Sequence, residues 1–285
     1  MTTTRHSNLG AALRTGALMA TLGAVLVAIG YAIGGIGTAT LFLVGALFFN
    51  LIQFFFSDKI ALKASGAKPV TEEEAPRLYQ MVRELTTRAG LPMPTLHVIP
   101  QEQANAFATG RSPKRSAVAV TQGLLTTLSE DEVRGVLAHE LGHVRNRDML
   151  TTTIASSIGM AITYIAYMFM WFGDDDSPLG LVASLGMVIL APISATLIQL
   201  AVSRQREYSA DATGAEICGN PESLASALLR LQEGAVANPM QVNQAAEPLY
   251  IVKPFSGGGF AKLFSTHPPI EERVRRLRQM RPTIG

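Results

Sequence analysis

Four apolar runs, at about 15–34, 36–56, 150–172 and 179–202, alternate along this chain with two more polar stretches. Each run approaches the ~20 residues that carry a helix across a bilayer core. Between the first two stand only Gly35, Ile36 and Gly37, a spacing that predicts a tight helical hairpin. The second pair is joined by Gly173-Asp174-Asp175-Asp176-Ser177-Pro178, and Pro192 predicts a kink in the fourth run. In the polar stretches the period changes. Leu96–Ile99, Asn105–Gly110 and Ala117–Val120 read as short strands, and Tyr79, Val82 and Leu85 after Pro76 give an amphipathic helix. Ser129-Glu130-Asp131-Glu132 is a capping box, and Val133, Val136, Leu137, Leu141 and Val144 follow it at 3.6-residue spacing. A buried helix is expected there. The stretch from Ala235 to Phe264, rich in Pro and Gly, reads as long loops, with a flap over a cleft as one use for them.

Composition agrees with membrane spans. The chain is 48% hydrophobic and only 16% charged, with a mean hydropathy of +0.24. Arg5, Arg14, Lys59, Lys63, Arg145, Arg147, Arg204 and Arg206 flank the four runs on one side, and neither short turn holds a Lys or Arg. By the positive-inside rule both termini and the polar stretches are cytoplasmic, with Tyr31 and Trp171 near the opposite interface. Two alternatives stand beside this topology: a cleaved signal peptide for the first run, with Ala32 or Gly34 at the cut, and buried helices of a large soluble domain for the later ones. A net charge of +2 gives no support for a nucleic-acid partner. Arg273, Arg275, Arg276, Arg278 and Arg281 read as a solvated or membrane-facing helix side. The expected organisation is a transmembrane hairpin (1–58), a first cytoplasmic part with sheet and capped helix (59–149), a second transmembrane hairpin (150–203) and a second cytoplasmic part (204–285).

Within the capped helix lies His139-Glu140-Leu141-Gly142-His143. Side chains at i and i+4 share a helical face with Cβ atoms roughly 5–6 Å apart, so both imidazoles can reach one metal ion. Glu140 is turned about 100° from His139, where it can act as general base on a water. The alternative is an amphipathic helix with two ordinary histidines. A hydrolytic zinc site takes a third protein ligand, yet Arg145-Asn146-Arg147 follows His143 and supplies none. Glu207 and Asp211, four apart in Arg206-Glu207-Tyr208-Ser209-Ala210-Asp211, provide the candidate. Glu207 would complete a His₂Glu site, and Asp211 would accept a hydrogen bond from a ligand ring and fix its tautomer. One Zn²⁺ per chain is expected, although donor types alone leave neighbouring divalent metals open. The ligands lie a few residues from predicted spans, so the site is expected close to the bilayer. Membrane-associated substrates fit that position.

The order HELGH, Asn146-Arg147-Asp148, two spans and then REYSAD resembles the HtpX group of membrane zinc metalloproteases, relatives of the CAAX prenyl endopeptidases. The resemblance runs over nearly the whole chain. It implies a mainly α membrane protein with a small β-sheet: four transmembrane helices and a cytoplasmic gluzincin-like protease domain. It also implies an endopeptidase of the bacterial inner membrane that cuts damaged or misfolded membrane proteins, or unfolded polypeptides, from the cytoplasmic side. Asn105-Ala106-Phe107-Ala108 is similar to the family's strand along which substrate would bind; an ordinary hairpin strand is the alternative. His267, in Thr266-His267-Pro268-Pro269, matches a family histidine placed near the active site, where it would donate to the oxyanion.

Two other function classes remain: a membrane scaffold or chaperone with structural zinc, against which the intact Glu140 argues, and a transporter, for which the spans hold few polar groups. Cys218 is the single cysteine, so no intrachain disulfide exists. Nothing in the sequence sets an oligomeric state.

Overall fold

The computed structural model of this chain describes residues 8–150, 152–154, 204–237, 251 and 268–280. It opens with α1 (Asn8–Ala64), an apolar helix broken where Gly34 and Gly35 leave helical geometry; Gly35 has φ 68°, a conformation open to glycine at little cost. The two arms fold back on each other. Asn50 Nδ2 donates to the Met19 carbonyl at 3.1 Å, and Gly30 admits the Phe42 ring, whose Cγ would stand only 2.8 Å from a Cβ there. The hairpin expected at Gly35-Ile36-Gly37 is therefore present. Gly34–Ile52 is long and apolar enough to cross a bilayer, and only 6% of it is buried. Leu41, Leu47 and Phe48 stand more than half exposed, an arrangement that water penalises and lipid does not. The predicted spans 150–172 and 179–202 lie outside the described residues apart from 150 and 152–154, as do the turn between them and Trp171.

After α1 comes a four-stranded mixed sheet built from β1 (Lys68–Pro69), β2 (Thr95–Ile99), β3 (Ala106–Ser112) and β4 (Arg115–Thr121). Its order is β1-β2-β4-β3, with β2 parallel to β4 and the other pairs antiparallel. All three strands expected from sequence are present, and β3 is an edge. One face rests on the end of α1, where Ala61 meets Ile99, Phe107 and Ala119. The other carries the main core with α2 (Pro76–Ala89) and α4 (Glu130–Asn146). Pro76 pre-sets the first turn of α2, and Gly90 in the left-handed region closes it. Between the sheet and α4 runs the short helix α3 (Gln122–Thr127), capped by the Thr121 hydroxyl.

The helix α4 begins as the capping box requires. Ser129 Oγ accepts from the Glu132 amide while the Glu132 carboxylate accepts from the Ser129 amide at 2.8 Å. Glu132 also takes Arg230 Nε at 2.9 Å, which ties the start of α4 to α6 (Pro221–Ala237). The helix α5 (Arg204–Cys218) crosses α4 at a contact that only glycine permits. A Cβ on Gly142 would lie 2.8 Å from the Ala210 carbonyl, and one on Gly214 would lie 2.8 Å from His139 Cα. Two missing side chains thus set the distance between the helices that bear the candidate ligands. Leu137 and Leu141 of α4, with Leu224 and Leu228 of α6, fill the centre; burying each contributes roughly 1.5–3 kcal/mol.

The last helix, α7 (Ile270–Arg278), departs from the sequence reading at one residue. Arg275, Arg276 and Arg278 do face solvent, pairing with Glu272 and Glu222. Arg273 instead points inward beside Val274 and Leu277 and has 0% exposure. The reason is a buried carboxylate waiting there. Arg281 lies outside the described residues.

Candidate metal centre

Helical spacing on α4 and the close crossing of α5 bring His139, His143 and Glu207 together, with one donor atom from each lying within 4.8 Å of the others. His139 Nε2 stands 3.8 Å from Glu207 Oε2, and His143 Nε2 stands 3.5 Å from Glu207 Oε1. The rings meet edge to face, with centroids 4.8 Å apart at 84°. These separations are long for hydrogen bonds. In a tetrahedral site with bonds of about 2.0–2.1 Å, donor atoms are spaced by roughly 3.3 Å, so these three donors could hold one ion after a modest contraction. The far nitrogen of His139, Nδ1, lies 2.9 Å from Asp211 Oδ1. That neighbour favours the tautomer with the proton on Nδ1, leaving Nε2 as an acceptor for a metal.

Glu140 points the other way, toward the sheet. Its Oε2 accepts from the Ala108 amide at 2.7 Å, which shows that Ala108 N–H faces away from β4 and into the site. Burial pushes the Glu140 carboxyl above the usual carboxylate range; His139, His143 and the Ala108 amide oppose this without cancelling it. A carboxyl moved upward is better matched to proton transfer near neutral pH. The other residues of the expected substrate strand are placed less openly. Ala106 and Phe107 bury their side chains, so only their backbone can meet a ligand. Asn105 precedes the strand, its backbone engages Thr121, and its Oδ1 accepts from the Ile251 amide at 3.2 Å.

Two charged residues join the site that the sequence reading did not place there. Arg273 Nε and Nη2 donate to Asp211 Oδ2 and Oδ1 at 2.9 and 2.7 Å, and Nη1 donates to the Ile251 carbonyl at 3.3 Å. The same guanidinium lies 3.7 Å from Glu207 Oε2 and 3.4 Å from His139 Nε2. Burial would raise the Asp211 carboxyl, but Arg273 and His139 outweigh it and hold the group down at about 2. Burial would lower the Arg273 guanidinium, and its carboxylate neighbours raise it instead. The second residue is Asp148. Arg147 closes α4 with φ 60°, its amide bonded back to the last turn, and this turn brings Asp148 Oδ2 to 3.7 Å from His143 Nδ1. Burial alone would push the His143 imidazole down; Asp148, Glu207 and Glu140 overcome that and lift it to about 9.

Each of these residues left a trace in the sequence. Arg273 occupies the i+3 position of the apolar stripe Ile270, Val274 and Leu277, where a solvated arginine has no reason to be. Asp148 directly follows the residue that ends the ligand helix. His267, expected near the oxyanion, lies outside the described residues, as does most of the expected loop region 235–264.

The donor set suits a divalent cation. Glu140, Glu207, Asp211 and Asp148 put four carboxyl groups around the two rings, with Arg273 as the cation that contacts Asp211 and Glu207. Buried charge of one sign is costly unless compensated. In the protein without metal, a proton on His143 supplies part of that compensation; a cation among the three donors would supply it directly.

Comparison with known proteins gives a consistent result. Residues 72–281 match the model of peptidase family M48. A protease HtpX homolog of Pelotomaculum thermopropionicum is 53% identical over 276 residues, which cover 94% of this chain and 98% of that protein. Another, from Pyrococcus abyssi, is 49% identical over 284 residues, covering 97% and 98%. The crystal structure of S. mikatae Ste24p shares the fold, with a TM-score of 0.51 at 21% identity over 92% of this chain. The present chain spans 62% of that protein's length.

Proposed function

We propose that this chain, which belongs to peptidase family M48, is a zinc-dependent endopeptidase of a cell membrane that hydrolyses damaged or misfolded membrane proteins from the cytoplasmic side. The observation that carries the reading is the convergence of His139, His143 and Glu207, with Glu140 beside them on the edge-strand amide of Ala108. Zinc, when bound, supplies Lewis acidity and a water acidic enough to ionise near neutral pH. His139, His143 and Glu207 hold the ion, and Asp211 orients His139 through Nδ1. Glu140 takes the proton of the attacking water and passes it to the departing amine. The outward backbone of β3 binds substrate as an added strand, contacts that depend little on substrate sequence. His267 donates to the oxyanion.

The topology belongs to the same proposal. The exposed apolar arm of α1 supports its first hairpin, and the apolar runs 150–172 and 179–202 supply the second. The arrangement of flanking Lys and Arg supports a cytoplasmic position for both termini and the protease domain. A scaffold with structural zinc is not favoured, since only three protein side chains would hold the metal, with Glu140 beside them as a base, whereas structural zinc sites usually fill all four positions with protein ligands. Digestion of an unfolded membrane protein by the purified, detergent-solubilised chain tests the reading. Chelation should stop cleavage and added Zn²⁺ restore it, while Glu140→Gln should keep its metal and lose cleavage. Undiminished cleavage by Glu140→Gln would remove that residue from the mechanism.

A further inference from the structure

We infer that the tip of the β3–β4 hairpin, with Arg111, Lys114 and Arg115, docks on anionic lipid headgroups and so fixes the edge strand of the site against the bilayer surface. The inference rests on the membrane placement proposed above. Its geometry comes from two contacts between β3 and α1. At one end of β3, Phe107 packs against Ala61. Four residues later, the Arg111 guanidinium lies 5.0 Å from the Phe55 ring. From Phe107 to Arg111 the strand thus climbs α1 from Ala61 toward Phe55, in the direction of Gly34–Ile52. The apex of the turn, Pro113-Lys114, lies two to three residues beyond Arg111, at roughly 3.3 Å per residue. From Phe55 to the end of the apolar segment at Ile52 is three helical residues, roughly 4.5 Å. The turn Ser112-Pro113-Lys114-Arg115 therefore reaches the last turn of the apolar run, between Ile52 and Phe56.

The chemistry of that level fits a headgroup layer. Phe54, Phe55 and Phe56 are 37%, 43% and 48% exposed, apolar rings that end the run just before the polar Asp58 and Lys59. Lys59 lies over the Phe56 ring at 5.5 Å. Lys114 and Arg115 are exposed, and among the described residues neither they nor Arg111 pairs with a carboxylate. The sequence keeps acids away from the tip: no Asp or Glu occurs between Glu102 and Glu130, or before Asp58. The Asp58 carboxylate, the nearest acid on α1, accepts from the Lys59 amide at 2.8 Å. A cation near an anionic leaflet gains on the order of fivefold in occupancy, so Lys114 and Arg115 together contribute on the order of tenfold or more.

The test uses the full chain reconstituted in vesicles of phosphatidylcholine with or without phosphatidylglycerol. A spin label is placed at Pro113→Cys, and in a second sample at Phe48→Cys; the native Cys218 is buried. Immersion depth is read from accessibility to a water-soluble relaxation agent. The Pro113 label should sit at headgroup depth with phosphatidylglycerol and return toward water when salt is raised. It should do the same when Lys114→Gln/Arg115→Gln is introduced, and soluble glycerol phosphate should not protect it. A Pro113 label equally wet in both vesicle types, beside a Phe48 label in the acyl layer, overturns the docking inference and leaves the membrane reading intact. A wet Phe48 label overturns both. Cleavage of an unfolded polypeptide in detergent should be unchanged in Lys114→Gln/Arg115→Gln; loss there would mean that the tip acts on the site and not on lipid.

Discussion

Replacing Arg273 by methionine keeps most of the side chain's volume and removes its charge, leaving the buried Asp211 carboxylate beside Glu207 and Glu140 without its guanidinium. The Asp211 carboxyl is held at about 2 against an ordinary 3.8, and at about 1.4 kcal/mol per pH unit this corresponds to roughly 2 kcal/mol of stability. Removing one member of a buried pair also strands the other, which typically costs about 3–5 kcal/mol in all. The expected loss lies in that range. The sign with pH follows from a depressed carboxyl. Its stabilisation is complete above the unfolded value of 3.8 and disappears as pH falls through about 2, so the gap between wild type and variant narrows over that interval. Unfolding of the detergent-solubilised, metal-free protein by denaturant, followed by circular dichroism, measures the loss. Arg273→Met/Asp211→Asn should cost well under the sum of its two single variants, because each single change already breaks the pair. A loss below about 1 kcal/mol, or simple additivity, would refute the assignment of Arg273 as the partner that holds Asp211.

Other consequences follow from the same geometry. Gly214→Ala places a Cβ 2.8 Å from His139 Cα, a backbone atom that cannot step aside; it should cost about 1–3 kcal/mol and weaken metal binding, seen in a chelator competition. Arg147→Gly relieves a non-glycine residue at φ 60° and should stabilise the protein by up to about 1 kcal/mol in the same unfolding assay, with cleavage retained. His143, raised to about 9 in the metal-free protein, contributes stability that is full below its ordinary 6.5 and is lost as pH rises through about 9. Metal uptake between those values should release about one proton from it, visible by calorimetry in buffers of different ionisation enthalpy. No buffer dependence would contradict that.

Much of this arrangement is legible locally. The capping box at Ser129–Glu132 and the stripe from Val133 to Val144 fix α4 and the common face of its two histidines, and every contact involved lies within a few residues. The strands at Leu96 and Ala117 and the glycine break between the arms of α1 are equally local signals. Glu207 and Asp211 could be paired with α4 because hydrolytic zinc needs a third ligand, a chemical constraint that acts across sequence distance. For Arg273 the sequence offers only its place on the apolar stripe of Ile270, Val274 and Leu277, which names no partner. Its partner is 62 residues away, and three other arginines, Arg275, Arg276 and Arg278, stand around it on the same short helix. Burial, visible only in three dimensions, separates it from them. The Glu140–Ala108 contact was hidden for a similar reason: a backbone amide has no sequence signature, and its direction depends on which edge of β3 is paired.

The central claim is that two rings on α4 and one carboxylate on α5 form a single metal site. Zinc affinity of purified wild type and Glu207→Gln, measured by competition with a chromophoric chelator, tests it most directly. Changes beside a ligand cost about 10–100-fold, so loss of the ligand itself should exceed about 100-fold while the fold stays intact by circular dichroism. Equal affinity in the two proteins would contradict the account.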